Sequence, residues 1–272
     1  MREDSEDIDY PYYVTAHELG HQWWAHQVVA ADVEGSQMLM ESITHFCAIN
    51  VLEQNYGKVV TKRFLRDESL KYINSRKGEP YYERPLSKVA GYQSSIYYQK
   101  GGVSMKALAN YLGKELIFNT LKKVIDSYAF QRAPYPTTLE FENILDVPDS
   151  LKYYADDMLN KITFYDNDVR EATYERNEDL EYFLAAKIEG EKFYANGKGE
   201  EMAAEMNDWV EVGIYTTDNE EIYLNKIQIK GGEHVYHFKL DRKPAKIVID
   251  PYYSLIDKDY SREVFDVKRN AD

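Results

Sequence analysis

The stretch His17-Glu18-Leu19-Gly20-His21, followed at once by Gln22-Trp23-Trp24, constrains this chain more than any other. Two histidines four residues apart lie on one face of an α-helix, so both imidazoles can reach a single metal ion. Glu18 stands beside that face, placed to take a proton from a water at the metal. A site of this kind needs a third protein donor and leaves a fourth position open. The best-placed third donor is Glu41, in Met38-Leu39-Met40-Glu41-Ser42. A carboxylate in an otherwise apolar segment is costly unless it is paired or bound to metal. Glu34 is the fallback, but it lies in a connection, which holds a ligand less firmly than a helix does.

Charge narrows the class. Against 33 Lys and Arg stand 47 Asp and Glu, a net charge of −14. Such a surface suits neither nucleic acid, whose phosphates need a basic face, nor an anionic membrane. Its plainer meaning is solubility. Cys47 is the only cysteine, so no intrachain disulfide forms, and it reads as a small buried apolar residue. No run of 18 apolar residues exists, and Met1 to Asp9 is acidic, unlike a signal peptide.

Along the chain, Pro11 marks a helix start, and Tyr12 to Val29 reads as the metal-ligand helix. Ala30 to Ser36 connects it to a second helix, Met38 to Tyr56, stopped at Gly57. Lys58 to Ile73 reads as a third. Asn74 to Ser95, with Gly78, Pro80, Pro85 and Gly91, reads as a long surface loop. Helices over Tyr97–Leu112 and Glu115–Tyr128 follow, then shorter ones near Thr138–Leu145 and Pro148–Lys161. The texture changes near residue 162. Glu181–Ile188, Trp209–Thr216, Glu221–Ile229, His234–Leu240 and Ala245–Ile249 read as strands, separated by Asn196-Gly197, Asp218-Asn219, Gly231-Gly232 and Lys243-Pro244. The expected architecture is multi-domain, α then β: a helical region over 1–161 and a small antiparallel β-sandwich over 162–272, with a frayed tail after Tyr260.

The motif His17-Glu18-Leu19-Gly20-His21-Gln22-Trp23-Trp24, with a glutamate 24 positions after the first histidine, resembles the aminopeptidase N family of zinc metallopeptidases. The resemblance assigns His17, His21 and Glu41 to one Zn²⁺ ion and Glu18 to the general base. Residues 22 to 40 separate His21 from Glu41, one more than the usual family spacing, and the Val28–Ser36 connection can absorb the excess. Tyr98-Gln99-Lys100-Gly101 resembles the family's Tyr-Glu-Lys-Gly, whose tyrosine steadies the oxyanion of the tetrahedral intermediate. A phenol aimed at developing negative charge is suited to that role. Catalytic Glu18 and Tyr98, and a mostly helical, thermolysin-like catalytic region, are what the resemblance implies.

Ala31-Asp32-Val33-Glu34-Gly35-Ser36, Glu83-Arg84-Pro85, Pro134-Tyr135-Pro136-Thr137 and Ile249-Asp250-Pro251-Tyr252 resemble one bacterial subgroup. There the peptidase region is joined to membrane segments similar to an ABC-transporter permease. The family's Gly-x-Met-Glu-Asn strand, which anchors the substrate's free amino end, lies upstream of the zinc helix and has no counterpart in this sequence. The expectation is therefore a soluble, excised C-terminal piece of a bacterial membrane-anchored zinc aminopeptidase, acting on peptides. Two other readings stand beside it: a weakly catalytic zinc-binding or regulatory module of a transporter assembly, and a thermolysin-like endopeptidase. His26 should point away from the metal, and His45, one turn after Glu41, could orient it. His234 and His237 fall on opposite faces of a strand and share no site.

Overall fold

The computed structural model describes residues 8–76 and 82–270. Gly78 and Pro80 of the expected long loop lie outside the described residues. Two compact units divide the chain, one of Met1–Ile162 with Ala195–Glu200, the other of Thr163–Tyr194 with Glu201–Asp272.

The first unit is helical. Helix α1 runs Tyr10–Gly20. Asp9 caps it, its carboxylate accepting the Tyr12 N–H at 3.0 Å, and Pro11 occupies the first turn, where a missing N–H costs nothing. The helix is shorter than the expected Tyr12–Val29. Beyond it the chain folds back, with Ala25 at φ 86° and the Val28 N–H bonded to the Trp23 carbonyl at 2.8 Å. His21 still keeps helical angles as the residue that ends α1, so it remains one turn after His17.

Two of the expected helices open with a π-helical turn. Met38–Ser42 leads into α2, Ile43–Arg76, and Ile96–Lys100 leads into α3, Gly101–Leu112. Gly57, at φ 79° and ψ 175°, breaks α2 where the sequence reading placed a stop between two helices. That backbone region is open to glycine at no steric cost. Helices α4 (Lys114–Tyr128), α5 (Thr138–Ile144) and α6 (Lys152–Leu159) complete the unit. The segment after residue 81 is extended, with a single 3₁₀ turn at Leu86–Lys88. Side chains of α2 and α3 form the centre of the core: Ile43, Phe46, Ile49, Leu52, Phe64 and Met105 are all fully buried.

The second unit holds two sheets. One joins β3 (Glu201–Ala204), β2 (Tyr182–Ala195), β1 (Ile162–Arg176) and β9 (Lys268–Arg269), with β6 (Gly232–Leu240) also paired to β2. The other has the order β5 (Glu221–Lys230), β4 (Asn207–Tyr215), β7 (Lys246–Ile249), β8 (Val264–Asp266). The second sheet is antiparallel throughout, with Val212 of β4 opposite both Asn225 and Ile249. In the first, β1 and β9 run parallel, with Thr173 opposite Lys268, so the expectation of purely antiparallel pairing does not hold. The tail after Tyr260 is not frayed up to Asn270: it supplies β8 and β9, and the Asn270 N–H bonds the Tyr174 carbonyl at 2.8 Å. Side chains of the two sheets meet at Asp208, which accepts from Tyr165 of β1 at 2.9 Å and from Lys192 of β2 at 2.9 Å.

Candidate metal centre

Tyr13, His17 and His21 follow one another at one-turn intervals along α1. His17 Nε2 lies 3.2 Å from Glu41 Oε2, and His21 Nε2 lies 3.5 Å from the same oxygen. One donor atom from each of the three lies within 4.8 Å of the others, and among the described residues no other group of three His, Cys, Asp or Glu does this. Two imidazoles and a carboxylate around one point are a donor set suited to zinc, with a position left for water or substrate.

Local structure aims the ligands. His21 Nδ1 is 3.1 Å from the Trp24 carbonyl. A carbonyl only accepts, so Nδ1 carries a proton, and in the neutral imidazole the Nε2 lone pair faces Glu41. The His17 and His21 rings stand edge to face, their centroids 4.8 Å apart. His17 Nδ1 is buried with no hydrogen-bond partner among the described residues.

Burial pushes the Glu41 carboxyl pKa up, but the hydrogen bond with His17 and the charges of His21 and His17 outweigh it, and the net shift is downward. Tyr98 lies close enough to Glu41 for the carboxylate's charge to act on its phenol, and its ring centroid is 5.7 Å from that of His17. Burial first, then the negative charge of Glu41, raise the phenol's pKa, so Tyr98 keeps its proton at neutral pH and can donate it in a hydrogen bond. Glu18 is exposed beside the centre, and its charge adds to the field at Tyr98.

Both Glu41 and Tyr98 sit on π turns. A π turn takes one more residue than an α turn to cover the same stretch, and such insertions recur at functional sites. The one-residue excess between His21 and Glu41 therefore has a place at Glu41 itself, not only in the Val28–Ser36 connection. The two π turns touch: Ser42 Oγ donates to the Tyr97 carbonyl at 2.7 Å. A Cβ on Gly101 would stand 2.2 Å from Ser42 Oγ, so glycine is required for this approach. Glu83, of Glu83-Arg84-Pro85, anchors the same region from below. It accepts from Tyr72 and from Arg76 at 2.6 Å, with Lys100 at 3.8 Å. Burial lowers the Lys100 pKa to about 8.

The remaining candidates separate from the centre. Glu34 is exposed and pairs with Arg84 at 3.0 Å. His26 bonds the His21 carbonyl from outside, and His234 bonds the Gly231 carbonyl. His45 makes no hydrogen bond to Glu41. Its Nδ1 bonds the Tyr13 hydroxyl and its Nε2 faces Glu68 Oε2 at 3.4 Å, an electrostatic contact longer than a well-formed hydrogen bond. This Tyr13–His45–Glu68 chain was missed in the sequence. The only signal for it was Tyr13 at one turn before His17.

A model of the peptidase family M1 domain matches residues 3–146. Among solved structures, the chain is similar to Legionella pneumophila aminopeptidase A, crystallised in complex with aspartic acid, with a TM-score of 0.53 and 18% identity. The match covers 96% of this chain and 27% of the Legionella protein, so the chain spans about a quarter of that structure's length. No curated protein matches it in sequence.

Proposed function

The chain belongs to peptidase family M1, and on that premise we propose that it hydrolyses peptides at a zinc centre held by His17, His21 and Glu41. The observation that carries this reading is the convergence of both imidazoles on a single oxygen of Glu41. The chemistry that a zinc ion supplies in such a site is Lewis-acid polarisation of the scissile carbonyl and acidification of a water.

The chain's own residues supply the rest. Glu18 accepts the proton of the attacking water and passes it to the leaving amine. Tyr98 donates a hydrogen bond to the oxyanion as the tetrahedral species forms, in a half-buried position where such a bond is stronger than in bulk water. Its raised pKa keeps the donor proton in place. His21 is held in the productive tautomer by the Trp24 carbonyl.

Cleavage at the amino-terminal residue is the specificity we assign to the whole protein, on the likeness of the zinc motif to the aminopeptidase N family. The subgroup motifs extend the reading to a bacterial protein with permease-like membrane segments outside these 272 residues. Among the described residues, no helix is long and apolar enough to cross a membrane. The test is to offer zinc-loaded protein the same peptide with a free and with an acetylated amino end. Loss of the first residue from the free peptide alone supports the proposal. Cleavage of the blocked peptide makes it an endopeptidase. Zinc bound without cleavage of either makes it a binding module.

A further inference from the structure

Glu41 and His45 are four residues apart, as are Tyr13 and His17, and the two pairs face each other across the gap between α1 and the start of α2. His17 meets Glu41 at 3.2 Å, and one turn away Tyr13 hydroxyl meets His45 Nδ1. The two contacts form parallel rungs between the two ligand-bearing segments, which run in opposite chain directions.

The lower rung is held from every side. Tyr13 and His45 are buried. The Phe64 ring packs on Tyr13 with centroids 4.6 Å apart and on His45 at 5.9 Å. Glu68, itself buried and paired with Lys71 at 3.0 Å, faces His45 Nε2. A Cβ on Gly102 would stand 2.1 Å from His45 Cδ2, so α3, which follows the Tyr98 turn, rests directly on the imidazole. The His45 ring is also 5.9 Å from that of His17 and 6.2 Å from that of Tyr98. One side chain thus contacts α1, both halves of α2 and α3.

We propose that Tyr13 and His45 are positioning residues for the metal centre, a hydrogen-bonded brace that fixes the separation of His17 from Glu41. The inference rests on the metal reading above. A ligand pair whose spacing is fixed before the ion arrives binds it more tightly, because the ordering cost is not taken out of the binding energy. Neither Tyr13 nor His45 offers an atom to the ligand group itself, so their effect on metal affinity is wholly through His17 and Glu41.

The test is the zinc dissociation constant of the 272-residue chain, measured by competition with a chromophoric chelator, for wild type, Tyr13→Phe and Tyr10→Phe. Tyr10 is the control: it lies on the same helix and loses a 2.7 Å hydrogen bond to Asp67, in the far half of α2. The brace predicts a loss of about 10- to 100-fold in zinc affinity for Tyr13→Phe and none for Tyr10→Phe. Unchanged affinity in Tyr13→Phe overturns the brace while leaving the metal centre standing. Equal losses in both variants also overturn it, because they report only the stability of α1. No zinc on wild type removes the metal reading, and the brace falls with it. Should Tyr13→Phe not fold, Glu68→Gln acts on the other nitrogen of His45 and carries the same expected weakening, with the same meaning if affinity is unchanged.

Discussion

His17 Nε2 and Glu41 Oε2 stand 3.2 Å apart although 24 residues separate them in the chain. The contact joins the end of α1 to a π turn, and every catalytic expectation for this protein follows from what lies around it.

Glu18 is exposed, next to His17, and is not one of the three converging ligands. Glu18→Gln should therefore leave zinc content unchanged and reduce kcat by about 10²- to 10⁴-fold, the range for loss of a general base. Metal analysis and peptide turnover on the same preparation check both halves. Unchanged turnover would remove Glu18 from the mechanism.

Tyr98 contributes a single hydroxyl to the reaction. Tyr98→Phe keeps the ring that packs 4.6 Å from Tyr97 and 5.7 Å from His17. The expected loss is in kcat, by about 10²- to 10³-fold, with KM and zinc affinity nearly constant. Steady-state kinetics decide it: a rise in KM with constant kcat would make Tyr98 a substrate-binding residue and not an oxyanion donor.

The β unit carries a pH signature of its own. Asp250 and Asp257 are fully buried, and burial raises both carboxyls to about 7; Glu263, buried beside Asp257, is also raised. A folded-state pKa above the unfolded value means that the native protein binds more protons between pH 4 and pH 7. The stabilisation from these groups is therefore full below about pH 4 and is lost as pH rises through 7. Asp250 Oδ2 accepts the Leu255 N–H at 2.6 Å, and Oδ1 has no partner among the described residues, so an amide can replace the acid while keeping that bond. Urea unfolding of Asp250→Asn should show a shallower fall in stability between pH 5 and pH 8 than wild type, and a gain over wild type at pH 8. Parallel curves would contradict the assignment.

The sequence carried much of this, and what it missed has physical reasons. The His17–His21 spacing is local, so it was legible without any tertiary knowledge. Glu41 was legible as a costly carboxylate among apolar neighbours, but the π turn that carries it was not, because nothing in Met38–Ser42 distinguishes a π from an α turn. The helix that carries His17 ends at Gly20, and the chain then turns back through Ala25, whose left-handed angle its residue type gives no reason to expect. Strand β1 was missed because Asp166-Asn167-Asp168 breaks its alternation. Asp166 pairs with Arg262, far along the chain, the Asn167 backbone N–H is accepted by Asp257 at 2.8 Å, and Asp168 pairs with its near neighbour Arg170 at 2.6 Å. The parallel pairing of β9 with β1 is likewise a contact between residues almost a hundred positions apart.

The most direct test of the central claim is zinc per chain, measured on protein purified without added metal or chelator, for wild type and for Glu41→Ala. About one zinc is expected per wild-type chain, lost in the variant, because removing one of three ligands leaves two imidazoles that cannot retain the ion through purification. A wild-type chain that takes up no zinc even when zinc is supplied, or a Glu41→Ala chain that keeps its full complement, would contradict the three-ligand centre.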